Sequence, residues 1–345
     1  MALHSLLQQL YDQGQEQNNI QLTVGKLAKA FSASSKDREV DEKAFFDDLL
    51  KTVASVPEGR KTLKELAATG CTFTIDPSST SAGGYFSPGE NKIVINTASG
   101  YKNFAATLVH EARHAIQHHN CPVVQSCYLA AGDYLKYERL IEADATAHES
   151  AFLHQIRDSR PEIYQERSGL PMLQAYSRTF EQTHNDKQAM QASFAAWHTS
   201  VYYQDYYDKY HCDGLCQFAD FGIKYKNTRM FSQHLSDDQI DKICTFDGKP
   251  YIDKAFLESQ KAFSIPAKYK EKIEKSVNAY ADSVPGATRD VSIQKLYTCT
   301  KRESTPPPPP PVVSRGQTQQ KKAQNQSGKT QVSNILMNLY NNRSK

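Results

Sequence analysis

The chain lacks any run of 18 or more apolar residues, the length that a membrane-spanning helix requires. Its first ten residues, MALHSLLQQL, have neither a basic cluster nor a long apolar core. They therefore do not resemble a secretory signal peptide and instead indicate the start of a helix. We expect a cytoplasmic protein without a transmembrane segment, and export to act in another cell stays open.

A regular cysteine framework is also missing. The seven cysteines are odd in number and irregularly spaced. Without a secretory signal, such a set favours free thiols over disulfides. His211, Cys212 and Cys216 offer half of a second zinc site, but no matching pair follows nearby, so buried free cysteines are the favoured interpretation.

Residues 1–300, the body of the chain, also lack a strong net charge. The chain is 39% hydrophobic and 23% charged, which is ordinary for a globular protein of 345 residues. Its net charge is +3, whereas residues 301–345 alone hold eight Lys or Arg and one Glu, a net of +7. Residues 1–300 therefore carry −4, and we predict no nucleic-acid binding by the body.

The last 45 residues differ in kind from the rest. Six prolines, Pro306 to Pro311, precede a segment rich in Gln, Asn, Ser and Lys, which predicts a disordered, Pro-rich basic tail. Apolar residues between Val332 and Tyr340 recur at helical spacing and predict a short amphipathic helix. The tail is either a simple tether or a segment that docks on a partner.

The central motif is His110-Glu111-Ala-Arg-His114. Residues four apart share one helical face, so the two histidines can bind one Zn²⁺ while Glu111 faces the open coordination position. Phe104, Leu108 and other apolar residues recur at helical spacing, which predicts a helix from about 101 to 119.

Two strand signals precede this helix. Residues 71–76 and 84–96 alternate in strand fashion, and Pro88-Gly89-Glu90-Asn91 predicts a turn that makes 84–96 a hairpin. We expect the histidine helix to pack on this small sheet. We also expect 92–96 to be an edge strand that binds an extended peptide substrate.

Catalytic zinc commonly has three protein ligands, so a third must be found. The next predicted helix, 126–157, carries Glu138, Glu142 and Glu149 on one face. Small alanines at 143, 145 and 147 permit close helix packing. A carboxylate of this helix can therefore reach a metal held by the preceding one.

These motifs resemble the core of gluzincin-type metallopeptidases, over residues 70–160. The layout is similar to ImmA/IrrE-like peptidases and to uncharacterised bacterial metallopeptidases with a Glu-Ala-x-Ala second motif. The resemblance implies that His110, His114 and Glu142 bind Zn²⁺ and that Glu111 is the general base. It also implies an α+β, mostly helical fold, with a zincin-like core of a small sheet, an active-site helix and a second ligand helix, flanked by helices.

The sequence departs from the thermolysin-like pattern in two places. An acidic residue is expected four positions after Glu142, but Thr146 stands there, so Glu138 or Asp144 is the candidate to orient a histidine. The continuation after His114 lacks the Gly-x-x-His of a three-histidine site. His118, one turn further along the same face, stays a minor alternative ligand.

We predict four segments: a helical segment 1–69, the zincin-like core 70–160, a helical segment 161–300 and the tail 301–345. Before residue 70, apolar clusters suggest three or four helices. After it, helices are expected over 172–195, 237–245 and 266–281. The tyrosines between Trp197 and Tyr210 either line a substrate groove or, as we favour, pack with hydrated hydroxyls.

The predicted function is hydrolysis of peptide bonds in a protein or peptide substrate. Zinc lowers the pKa of its bound water to about 7, and Glu111 accepts the proton as the carbonyl is attacked. A Tyr, His or Arg should stabilise the oxyanion, and nineteen tyrosines leave that residue open. Two alternatives remain: a non-catalytic zincin-like sensor, and an adaptor that acts through its tail.

Overall fold

The computed structural model describes residues 2–78, 82–98, 103–122, 126–260 and 262–299, with side chains from residue 12 onward. Most of these residues are helical and a minority form small sheets, so the predicted α+β, mostly helical class is confirmed. The predicted tail 301–345, with its proline run and its amphipathic stripe, lies outside the described residues.

The described elements alternate long helices with very short strands. Up to residue 120 they are α1 (Ala2–Lys29), β1 (Phe31–Ser32), α2 (Glu39–Ala54), α3 (Pro57–Ala68), β2 (Thr72–Asp76), β3 (Gly84–Ser87), β4 (Lys92–Asn96) and α4 (Phe104–Asn120). Next come α5 (Ala131–Ile156), α6 (Pro161–Gln165), α7 (Pro171–Thr183), α8 (Asp186–Thr199) and α9 (Val201–Tyr225). The last are α10 (Asp237–Ile243), β5 (Thr245–Phe246), β6 (Lys249–Pro250), α11 (Lys254–Leu257), β7 (Ser264–Pro266), α12 (Ala267–Ser283) and β8 (Tyr297–Cys299).

The chain divides into two compact units. Unit 1 comprises Met1–His119 and Ala151–Glu166, and unit 2 comprises Asn120–Ser150 and Arg167–Lys345. Unit 1 is therefore discontinuous in sequence. The four predicted segments, with boundaries at 70, 161 and 301, stay a prediction of domain organisation.

The sheet of unit 1 has the order β1-β2-β4-β3. Strands β1, β2 and β4 are parallel, whereas β3 and β4 form the predicted antiparallel hairpin. The prediction that 92–96 is an edge strand is wrong, because β4 pairs on both sides and β3 lies at the edge. Burial agrees with this order, since Ile93, Val94 and Ile95 are all buried on β4.

Aromatic packing joins the first helices of unit 1 to the sheet. The Phe46 ring of α2 stacks on Phe31 at 4.8 Å and lies 5.0 Å from Phe73 of β2. Gly59 in α3 permits the close approach of α2, because a Cβ there would lie 1.8 Å from the Val53 carbonyl oxygen. Three α-helices precede residue 70, within the predicted three or four.

Unit 2 is built from paired helices. The single helix predicted over 172–195 is wrong: the chain breaks between α7 and α8 at His184, whose φ is 48°. Asn185 then caps α8 by accepting from the Gln188 N–H at 3.0 Å. The helices predicted at 237–245 and 266–281 are confirmed as α10 and α12, with small differences at their ends.

Helices α9 and α12 share one apolar core. It includes Cys212, Leu215 and Phe218 of α9 with Ile273 and Val277 of α12. All seven cysteines are free, as predicted.

Candidate metal centre

The helix α4 is anchored where it starts. The Asn103 side-chain oxygen accepts from the Ala106 N–H at 3.0 Å, and its amide nitrogen donates to the Ile163 carbonyl at 2.7 Å. Asn103 is buried, so both bonds replace water at a helix end that would otherwise leave polar groups unpaired. The start of the motif helix is thereby fixed within unit 1.

The burial pattern of α4 selects which face carries the motif. Leu108, Val109 and Ala112 are fully buried, while His110, Glu111 and His114 are only partly covered. Arg113, on the buried side, pairs with Glu65 of α3 at 3.3 Å. The apolar periodicity therefore leaves the three motif side chains on the less buried face of α4.

The two histidines lie side by side on that face. Their ring centroids are 4.8 Å apart with an angle of 81° between the ring planes, and their candidate ligand atoms lie within 4.8 Å of each other. The Nδ1 of His114 is 3.0 Å from the Gln117 side-chain oxygen. A proton on Nδ1 leaves Nε2 as the ligand atom, the arrangement typical of metal-binding histidines.

Glu111 is held by the sheet. Its Oε2 accepts from the Phe86 backbone N–H at 2.9 Å. Phe86 lies on the edge strand β3. A main-chain amide of that strand therefore orients the carboxylate of Glu111, the residue between the two histidines of the motif. The hairpin and the helix thus position one another through a side chain of the motif.

His118 lies one turn beyond His114. Its ring centroid is 5.8 Å from that of Phe86, and burial, followed by the neighbouring His119, lowers the pKa of His118. A lowered pKa keeps this imidazole neutral at physiological pH. Its role as an alternative ligand stays a prediction.

Glu142 lies on α5, in the part that belongs to unit 2. Its Oε2 accepts from the Tyr207 hydroxyl of α9 at 2.8 Å. The Tyr207 ring stacks on His211 at 5.7 Å and lies 5.5 Å from the Trp197 ring, so its position is fixed by packing. Burial and then the Glu142 charge raise the pKa of Tyr207 well above its usual value, which keeps it a donor.

Tyr207 belongs to the tyrosine stretch for which packing was favoured over a substrate groove, and the sequence did not connect it with Glu142. One tyrosine among nineteen carries no local signal, and only the pairing of α9 with α5 distinguishes it.

The two residues proposed to orient a histidine differ in their surroundings. Burial, and then the charge of Glu142, raise the pKa of Glu138 to about 8, so Glu138 is largely protonated at neutral pH. Asp144 is fully buried, with Oδ1 3.8 Å from His148 Nε2. Glu149, on the same face as Glu142, lies 3.8 Å from Arg167.

Comparison with known proteins identifies the family. A family model described as "Putative metallopeptidase family (DUF6782)" matches residues 24–252, about two thirds of the chain. The chain belongs to this family. The match includes α4, α5 and α9, so every residue of the candidate site lies inside the metallopeptidase region.

The metallopeptidase resemblance predicted from the motifs is thus confirmed at the level of a metallopeptidase family. No curated protein and no solved structure matches this chain significantly. In the part of the chain that the structure describes, no helix has the length and apolar character needed to cross a membrane.

Proposed function

We propose that the chain is a zinc-dependent peptidase of the gluzincin type in which Glu111 is the general base. The observation that carries the proposal is the placement of Glu111. Its carboxylate accepts from the Phe86 N–H of the edge strand, and two histidines flank it in sequence on one partly buried helical face. Membership of a metallopeptidase family supports the same chemistry.

We propose His110, His114 and Glu142 as the metal ligands. Two imidazoles and one carboxylate are a donor set that catalytic zinc uses, and the candidate ligand atoms of His110 and His114 lie within 4.8 Å of each other. The Tyr207 hydroxyl orients Glu142, as outer hydrogen bonds do for carboxylate ligands. Glu138 stays a candidate to orient a histidine rather than to bind the metal.

Each residue then has one task. A bound Zn²⁺ supplies a Lewis acid that polarises the scissile carbonyl and acidifies water. The Glu111 carboxylate accepts a proton from the attacking water and passes it to the leaving amine. His110, His114 and Glu142 hold the metal, and Gln117 and Tyr207 hold two of these ligands in place.

The substrate class is a protein or peptide chain in extended form. The edge strand β3 is the site for it, in place of the predicted 92–96 strand, because β3 ends the sheet order and supplies the amide that holds Glu111. An extended peptide can add to such an edge through main-chain hydrogen bonds. Tyr85 of β3 is exposed and available to contact substrate side chains.

The test compares Glu111→Gln with the unaltered chain and with Glu90→Gln, a matched change in the exposed turn beside β3. Glu111→Gln should retain zinc but lose cleavage of a peptide library by about 10²- to 10⁴-fold, because an amide cannot accept the proton. Glu90→Gln should retain both. Equal cleavage by Glu111→Gln would refute the proposed base, and zinc without cleavage in every form would favour the sensor alternative.

The ligand assignment has its own measurement, the zinc content after dialysis. His110→Ala and His114→Ala should each lose zinc, as should Glu142→Gln, while Glu138→Gln should keep it. If Glu138→Gln loses zinc and Glu142→Gln keeps it, the third ligand is misassigned.

A further inference from the structure

A pair of cysteines on α9 stands outside the proposed metal centre. Cys212 and Cys216 are one helical turn apart on α9, and the Cys212 Sγ lies 3.9 Å from the Tyr269 carbonyl oxygen, to which it donates. Cys212 is fully buried in the core between α9 and α12, whereas Cys216 is partly exposed. One cysteine is therefore partly accessible to solvent, and the other is buried one turn earlier on the same helix.

The surroundings of Cys216 favour a thiolate. The Ser276 hydroxyl of α12 donates to the Cys216 Sγ at 3.3 Å. The Lys272 ammonium, paired with Asp213 at 2.8 Å, adds positive charge near both sulfurs. The neighbouring Cys212 thiol, and then the Ser276 hydroxyl and the Lys272 charge, lower the pKa of Cys216 to about 6, while the pKa of Cys212 is raised.

The other buried cysteines provide the contrast. Burial raises the pKa of Cys71 and of Cys127 to about 12. Because the thiolate is the form that attacks peroxide, those thiols should react with peroxide more slowly than Cys216.

We propose that Cys216 is a peroxide-reactive thiolate and that Cys212 resolves its oxidised form as a reversible disulfide within α9. Hydrogen peroxide is the oxidant. The Cys216 thiolate attacks one peroxide oxygen, the O–O bond breaks, and a sulfenic acid and hydroxide form. The Cys212 sulfur then attacks the sulfenic sulfur, its proton and the hydroxyl leave as water, and the S–S bond forms. Two electrons pass from the thiols to the peroxide.

Helix geometry makes this disulfide possible but strained. Residues four apart on an α-helix have Cα atoms about 6 Å apart, within the range that disulfides span. Their Cβ atoms are about 5–6 Å apart, which exceeds the usual disulfide spacing, so α9 must tighten locally. Gly214 lies between the two cysteines and lowers the cost of that change. A strained disulfide is readily reduced, which suits a reversible modification.

The test uses the full, reduced chain with a chelator present to keep metals off the thiols. Trypsin releases residues 210–224 as one peptide that contains both cysteines and no other. After stoichiometric hydrogen peroxide, this peptide should lose two hydrogens and resist alkylation, and a reductant should reverse both effects. Without peroxide, native Cys216 should alkylate at neutral pH at least about tenfold faster than Cys127.

Variants separate the two roles. Cys212→Ser should leave a sulfenic acid on Cys216 that a cyclic 1,3-diketone traps, whereas Cys127→Ser should behave like the unaltered chain. Oxidation of other cysteines before Cys216, or alkylation of Cys216 no faster than that of Cys127, would overturn the proposal. Both of these measurements use the unaltered chain, so they hold even where a variant fails to fold.

Discussion

His198 is an ionisable ring enclosed by aromatic side chains. Its ring centroid lies 4.9 Å from Phe194, 5.1 Å from Trp197 and 5.6 Å from Phe256, and the residue is fully buried. Burial, and then the positive charge of Arg139, lower the pKa of His198 to about 3. The folded state therefore holds this imidazole neutral at any pH near neutrality.

This lowered pKa predicts a loss of stability in mild acid. An unfolded histidine titrates near 6.5, so between pH 6.5 and 3 the unfolded state binds more protons and stability falls as pH falls. From pH 7.5 to 5 the contribution of His198 is about 2 kcal/mol. His198→Phe should reduce the difference between urea unfolding free energies at these two pH values by that amount.

The control for this change is His234→Phe, at an exposed histidine that pairs with Asp133. It should leave the pH difference of the unaltered chain nearly intact. An equal pH difference in His198→Phe and the unaltered chain would show that His198 is not the group responsible.

At the residue scale, sequence predicts those site residues that lie within one local motif. His110, Glu111 and His114 follow from spacing on a single helix, whereas Glu142 needed a resemblance to be preferred over Glu138 and Glu149. Tyr207 could not be predicted, because its role depends on a contact between residues 65 positions apart. The hydrogen bond from the Phe86 amide to Glu111 could not be predicted either, because a main-chain donor does not depend on the residue type.

At the scale of the elements, the stability of α4 depends on the Asn103 side chain at its N-terminus. Asn103→Ala removes the cap on Ala106 and the hydrogen bond to the Ile163 carbonyl, and should destabilise the protein by about 2 kcal/mol. Asn103→Asp retains the acceptor for Ala106 but places a buried carboxylate oxygen against the Ile163 carbonyl oxygen, and should cost at least as much. Chemical unfolding of the two variants decides between them, and equal stability of Asn103→Ala and the unaltered chain would contradict the prediction.

Short or interrupted elements were predicted poorly, and the long helix α9 was not among the predicted helices. The hairpin of β3 and β4 carries strong turn residues, which is why its position was clear in sequence. Strand β1 has two residues, too few for any periodicity, and exists because it pairs with β2, where Phe31 pairs with Phe73, 42 positions away. The order that places β4 inside the sheet is likewise set by distant pairing.

The break between α7 and α8 did have a local signal. Asn185 followed by Asp186 is a signal for the start of a helix. The prediction of one continuous helix gave more weight to the apolar residues that continue on both sides of this pair. Apolar periodicity alone therefore overestimated helix length here.

On the scale of the molecule, unit 1 is completed by residues far along the chain. Glu58 donates its backbone N–H to the Gln155 side chain at 2.8 Å, and Asn103 donates to the Ile163 carbonyl at 2.7 Å. Both acceptors belong to the segment 151–166, which follows the whole of 120–150. The predicted boundaries near 70 and 160 followed changes in local sequence pattern. Such patterns do not show that segment 151–166 packs with residues before 120.

A fragment ending at His119 should therefore fail to fold. It lacks the partners of Glu58 and Asn103, and buried groups without partners cost about 1–3 kcal/mol each. Its NMR spectrum should show poor dispersion. A fusion of 1–119 to 151–166, with a Gly/Ser linker as long as the segment it replaces, should restore dispersion. A well-dispersed spectrum from the 1–119 fragment alone would show that 151–166 is dispensable.

The discontinuity of unit 1 also sets an order of events during synthesis. The ribosome makes the two motif histidines first, then 120–150, and only then the segment that closes unit 1. At typical elongation rates the interval between residues 119 and 166 is roughly 2–10 s, during which the apolar face of α4 is exposed on the nascent chain. A translation product that stops before Ala151 should therefore be a target for chaperones and proteases rather than a partly active enzyme.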